Sequence, residues 1–227
     1  MLIFVSVFDF AWQPFYLNHY KERGSDKLFG RILTYYCVIS SLIFLLLVFF
    51  VENLVKIPFP GGTLINYKYW LGLGILPIII IAYFFYGLYI NFSIGVIIAN
   101  KTISTTIALG IAVIVNLISN FILIPQFGYY GAAYSILISY FIAMLIIFLL
   151  SNKHYKVSYE WKRVSIVLLT TIIVYLLYSA LNEIINNEVL ILLIKISGIF
   201  LYLLILRYIG ILTAGEKELL KKFFSRK

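Results

Sequence analysis

The sequence predicts an all-α, polytopic membrane helical bundle of about seven transmembrane helices, with the N-terminus out and the C-terminus in. Three observations carry that expectation: the apolar content, a series of span-length apolar stretches, and a one-sided distribution of basic residues. Of 227 residues, 63% are hydrophobic and only 12% charged, and the mean hydropathy is +1.03. Soluble domains average roughly 45–50% apolar and about 25% charged. Too few polar groups exist to cover a water-facing surface, so lipid is the expected solvent.

The apolar stretches run over residues 2–17, 32–51, 70–99, 103–124, 129–150, 164–181 and 189–211. A spanning helix needs about 20 apolar residues, whereas a strand of a membrane barrel shows about 9–11 in alternation. These runs have the first length and no alternation. Each is apolar nearly all round, as a helix in lipid is, rather than on one face.

Orientation follows from the loops. Lys21, Arg23, Lys27 and Arg31 lie between the first two stretches, Lys101 in a short turn, and Lys153, Lys156, Lys162 and Arg163 before the sixth. Arg207 and a basic tail follow the last one. The alternate loops, 52–69, 125–128 and 182–188, carry only Lys56 and Lys68, and the last of them holds Glu183 and Glu188. Positive charge marks the cytoplasmic side. In the tail, 213–227, Leu219, Leu220, Phe223 and Phe224 alternate with Lys217, Lys221, Lys222, Arg226 and Lys227. That pattern suits either an inner-leaflet helix held by anionic lipid or a solvated end.

Several function classes are excluded or disfavoured. The net charge of +9, from 18 Lys+Arg against 9 Asp+Glu, sits between apolar runs and forms no basic stripe interleaved with exposed aromatics. Nucleic acid is therefore not an expected partner. Cys37 is the sole cysteine, which permits no intrachain disulfide or cysteine-based metal cluster. No H-E-x-x-H, G-x-S-x-G or phosphate-loop motif occurs, and Asp9 is the one acidic residue well inside an apolar run. Paired carboxylates for acid–base work are thus missing from the membrane region, and neither an enzyme nor a cofactor is expected.

Residues 116–144 read NLISNFILIPQFGYYGAAYSILISYFIAM. A helix bearing Asn116 and Asn120 ends in Ile124-Pro125. Gly128 and then Gly131-Ala132-Ala133 follow, with Ser139-Tyr140 farther on. This run resembles a recurring segment of the polysaccharide and O-antigen (oligosaccharide-lipid) flippases, in the superfamily that also holds multidrug and toxin extruders. Residues 71–101 and Trp12-Gln13-Pro14-Phe15 are similar to that family too, and the likeness covers about residues 1–152. The resemblance implies a C-terminal half: 1–152 as most of the C-terminal six-helix lobe, 153–212 as two appended helices, and 213–227 as a basic cytoplasmic tail. An odd helix count with an outside N-terminus also points to a piece of something longer. The implied activity is flipping of lipid-linked oligosaccharide across the cytoplasmic (inner) membrane for surface polysaccharide export. Alternating access rocks one bundle against another, so a missing N-terminal lobe or a second copy is implied as a partner. The alternatives are a multidrug or cation extruder of the same superfamily and an inactive truncated remnant.

The candidate residues follow from chemistry. Asp9, near the middle of the first helix, costs roughly 2.5–3.5 kcal/mol if it faces lipid, so it should face protein or water. With Gln13 one turn on, it forms either an ion-coupling site or a neutral hydrogen-bonded lock between helices. Pro14 removes a donor from Phe10's carbonyl. Asn116 and Asn120 share a helix face and suit either interhelical bonds or sugar hydroxyls; Asn91 is treated alike. Arg31 and Lys101 are the cations placed to meet a lipid pyrophosphate, unless they only anchor the inner side. Pro125 is expected to end the fourth helix, and Pro77 to kink the third. Gly128, Gly131, Ala132, Ala133, Ser135 and Ser139 form a small-residue face, read as a packing seam or a cavity wall. Lys195 is expected to snorkel toward the outer surface.

Overall fold

The computed structural model describes residues 1–59, 62–185, 187–208 and 210. Among these the order is α1 (Leu2–His19), α2 (Ser25–Val55), a short hairpin of β1 (Pro58–Phe59) and β2 (Gly62–Thr63), then a 3₁₀ helix (Tyr67–Ile75). There follow α3 (Leu76–Phe92), α4 (Ile94–Ile98), α5 (Ile103–Phe127), α6 (Tyr129–Ser151), α7 (Trp161–Ile184) and α8 (Glu188–Tyr208). The chain is an all-α polytopic membrane bundle. Among the described residues six helical stretches are long and apolar enough to cross a bilayer, the 3₁₀ helix with α3 and α4 counting as one. The seventh, α1, is helical throughout but carries Asp9, Gln13, Asn18 and His19, which lower its apolarity. The basic tail lies outside the described residues.

Two compact units divide the chain, Met1–Tyr159 and Glu160–Lys227. In the first, α3 is the central element, packed on α1, α2 and α6, while α5 leans chiefly on α6. Aromatic side chains join α1 to α2: Trp12 meets Phe29 edge-on with centroids 5.6 Å apart, and Phe8 lies 5.0 Å from Tyr36. Tyr36 then reaches α3, where its hydroxyl donates to the Phe84 carbonyl at 3.0 Å. Gly87 makes that approach possible, because a Cβ there would overlap the Tyr36 phenol.

The α5–α6 seam is built on small residues. Ala108 and Ala112 are the buried positions of α5, and Gly131, Ala133, Ser135, Ser139 and Ala143 are buried on α6. A Cβ on Gly131 would collide with the backbone of Leu123, so the helices approach more closely than any side chain would allow. Ser135 and Ser139 donate to the carbonyls of Gly131 (2.9 Å) and Ser135 (2.5 Å) on their own helix. Their hydroxyls are thereby satisfied without a partner across the seam. Ala132 is half-buried beside this face.

Two expectations about proline are corrected. Pro125 does not end its helix: α5 continues to Phe127 and stops at Gly128, whose φ of 55° and ψ of −130° are open to glycine. Pro125 gives up its own bond within α5, but the Gly128 N–H still reaches the Ile124 carbonyl at 2.8 Å, and the positive-φ glycine makes the stop. Pro77 does not kink a helix interior either. It lies in the first turn of α3, where its missing N–H has no helical partner to lose. The break in that span comes instead at Ser93, whose hydroxyl donates to the Ile90 carbonyl at 2.8 Å. Its N–H is shared between Tyr89 and Ile90, and this competition separates α3 from α4.

In the second unit α7 and α8 pair as a hairpin. Thr170 and Thr171 return their hydroxyl protons to the carbonyls of Ile166 and Val167 at 2.8 Å. Lys195 does not snorkel: it is only 4% exposed, with its ammonium 5.8 Å from the Tyr178 ring centroid. A cation held over an aromatic face is stabilised by the ring quadrupole.

Candidate functional site

Helix α1 divides its residues between two faces. Val5, Trp12 and Tyr16 are buried. Ser6, Asp9 and Gln13, at i, i+3 and i+7, share another face and line a cavity of about 480 Å³. Phe10 and Pro14 complete the α1 wall, and Tyr86 and Ile90 supply the α3 wall. An acid, an amide, a hydroxyl and a phenol therefore line a groove open to the surface, in which Ser6, Phe10, Gln13 and Pro14 are exposed, Asp9 and Tyr86 half-buried and Ile90 buried. Pro14 cannot donate to the carbonyl of Phe10, so the helix backbone adds an acceptor at the same level. Such a set offers one carboxylate, several oxygen acceptors and two aromatic rings. It can hold a cation or a hydroxyl-bearing group, and ordered water serves equally well when neither is bound.

Tyr86 belongs to a tyrosine cluster. Its ring lies 5.0 Å from Tyr140 on α6 and 6.1 Å from Tyr89, and Tyr83 and Tyr140 are 5.9 Å apart. Tyr89 donates to the carbonyl of Thr105 at 3.2 Å, which ties the cluster to the start of α5. Sequence reasoning found Asp9 and Gln13 but missed Ser6 and Tyr86. Ser6 was readable, one turn before Asp9, whereas choosing Tyr86 among Tyr83, Tyr86 and Tyr89 needed the packing of α3 on α1.

The remaining candidates lie elsewhere. Asn116 and Asn120 bond to each other, Asn120 Nδ2 donating to Asn116 Oδ1 at 3.0 Å, and both are half-buried. Asn91 is fully buried beside the α3–α4 break, and neither of its amide atoms has a hydrogen-bond partner. In this arrangement Asn91 touches no open surface. Arg31 is half-buried on α2, and Lys101 is exposed in the turn after Asn100, which takes a positive φ of 56°. None of these five lines the α1–α3 cavity. Among the described residues no three His, Cys, Asp or Glu side chains gather as a metal site.

A second polar constellation closes one end of the first unit. The segment between α6 and α7 crosses the first turns of α2. Ser25 Oγ donates to the Tyr20 carbonyl at 3.1 Å, which leaves it to accept from the Tyr155 hydroxyl at 2.7 Å. Ser158 bonds Asp26, and Gly30 passes so close to the Ser158 carbonyl that a Cβ would overlap it. Tyr159 is packed against Phe92 and Phe148 at centroid distances of 5.3 and 6.2 Å, and burial pushes its phenol pKa up. Ser151 Oγ accepts from the Gly95 N–H at 2.7 Å. This strap is why residues 153–159 belong to the first unit and not to the α7–α8 hairpin.

Compared with protein-family models, curated proteins and solved structures, the chain finds no match in any of the three.

Proposed function

We propose that this chain is the C-terminal part of a membrane transporter that flips lipid-linked oligosaccharide across the cytoplasmic membrane, its N-terminus outside and its C-terminus inside. The observation that carries the reading is the α1–α3 groove, where Ser6, Asp9, Gln13 and Tyr86 come together in a chain of otherwise apolar spans. Ionisable groups inside a membrane bundle mark substrate or ion pathways, because a charge facing lipid is costly. The resemblance of residues 116–144 to polysaccharide flippases supplies the substrate class. Asp9 and Gln13 are assigned the coupling ion, and the Asn116–Asn120 pair the sugar. Transport by alternating access needs a second bundle, supplied by an N-terminal lobe or a second copy.

A cation extruder is the second reading, favoured by the single carboxylate set beside Phe10 and Tyr86. A carboxylate flanked by aromatic faces suits an organic ammonium.

The test is complementation. The chain alone, and the chain fused to a cognate N-terminal bundle, are expressed in a flippase-deficient strain, and surface polysaccharide is scored after membrane insertion is verified. Restoration by the fusion supports the reading. Failure of both despite good insertion, with reduced sensitivity to cationic drugs, replaces it with the second.

A further inference from the structure

We infer that residues 64–71, which enter the α3 span, form an interfacial anchor that seats in the headgroup layer of the bilayer. The inference does not rest on the transport reading. Helices α3 and α4, with Ser93 between them, run about 34 Å at helical rise, which already crosses a hydrocarbon core of about 30 Å. The preceding 3₁₀ helix of nine residues adds about 18 Å if extended in line. The polar layer on each side of a bilayer is only about 5–8 Å thick. The 3₁₀ helix is therefore surplus to the span and meets the interface.

Its composition suits that layer and not water. Leu64, Ile65, Tyr67, Tyr69 and Leu71 are exposed, Tyr67 at 68%, Tyr69 at 72% and Leu71 at 74%. Tyrosine has an apolar body and a polar tip, and with tryptophan it concentrates at membrane–water boundaries. Lys68, exposed among them, is placed for lipid phosphate.

The backbone beneath these side chains is held in place. Trp70 Nε1 donates to the Ile65 carbonyl at 3.0 Å, and the Lys56 ammonium sits 5.3 Å from the Trp70 ring and 2.6 Å from Glu52. Asn66 Oδ1 caps the 3₁₀ helix by accepting from the Lys68 N–H at 3.1 Å. Gly74 lies against the Tyr130 hydroxyl at the start of α6, where a Cβ would clash. The segment is thus a fixed apolar surface, tied to the ends of α2 and α6, with its large side chains turned away from the protein.

Spin labels at Tyr69→Cys and Leu71→Cys, placed one at a time in the full chain in phosphatidylcholine vesicles, test this. Cys37 is buried, and labelling of the unsubstituted chain checks that it stays silent. Collision with oxygen, which concentrates in lipid, is expected to exceed collision with an aqueous nickel chelate several-fold at both sites. A chelate-dominated signal would make the segment a water-facing platform for a soluble partner and overturn the inference. A label shielded from both reagents overturns it too, by showing a protein cover. Independently, quenching of tryptophan emission by lipids brominated near the headgroup should fall in Trp70→Phe; unchanged quenching counts against the anchor.

Discussion

Ser158 is bonded twice to Asp26: its hydroxyl donates to the Asp26 carboxylate at 2.5 Å and its N–H to the Asp26 carbonyl at 3.3 Å. The two residues are 132 positions apart, so the pair ties the end of the first unit back to the start of its second helix. Ser158→Ala and Asp26→Asn should each lower stability in detergent by about 1 kcal/mol, since the bond is solvent-exposed. The double variant should cost less than the sum, because the interaction is lost only once. Thermal unfolding of the three variants measures the coupling, and strict additivity would show that the pair contributes nothing.

Gly30→Ala should be worse than either. The added Cβ meets the Ser158 backbone, which is not the free end of a side chain and cannot swing aside. Overpacking of this kind costs about 1–3 kcal/mol. Gly24→Ala, at an open position, meets no neighbour and suffers only from its positive φ of 87°. Comparing their midpoints separates steric collision from backbone strain.

Asn91→Leu is expected to leave stability unchanged or raise it by about 1 kcal/mol, because the buried amide has no partner to lose. A clear loss of stability would reveal a bridging water or a partner acquired in the folded protein. If transport falls in a variant that folds well, Asn91 acts in another conformation of the α3–α4 break.

Asp9→Asn and Gln13→Ala should fold like the parent chain but abolish transport in the fusion, since both line the cavity. Ser6→Ala should reduce transport more mildly, as a neutral hydroxyl is lost rather than a charge. Insertion and melting are followed beside polysaccharide output, and unchanged output in Asp9→Asn removes Asp9 from the coupling role.

Asn116→Ala and Asn120→Ala should behave as a linked pair, worth about 0.2–0.5 kcal/mol, the range for side chains four residues apart on one helix. A transport defect in a variant of full stability would assign the pair to substrate.

The spans were legible because lipid imposes one strong rule, that a long apolar run must satisfy its own backbone. Where that rule is silent, the sequence misled or said nothing. Pro125 and Pro77 invite a break, but Pro77 falls in a first turn, where its N–H has no partner to lose, and Pro125 falls two residues before the stop that Gly128 makes; Ser93 interrupts through a hydroxyl that sequence alone does not mark. Asp9 and Gln13 were visible as polar residues in an apolar run, and the cavity joined them. Asn116 and Asn120 were visible for the same reason, yet they satisfy each other away from it. The strap was invisible, because Asp26–Ser158 and Ser25–Tyr155 are non-local pairs between ordinary polar residues in basic loops.

Helices α5 and α6 are joined by Gly128 alone, and the seam between them is among the tightest in the first unit. A one-residue joint leaves no loop that can wait in water on the far side while its partner follows. During synthesis, therefore, the two must leave the translocation channel as one object, already folded against each other. A variant that widens the seam at Gly131 would then be lost at insertion, before any question of transport arises, and would appear as degraded chain and not as an inactive transporter.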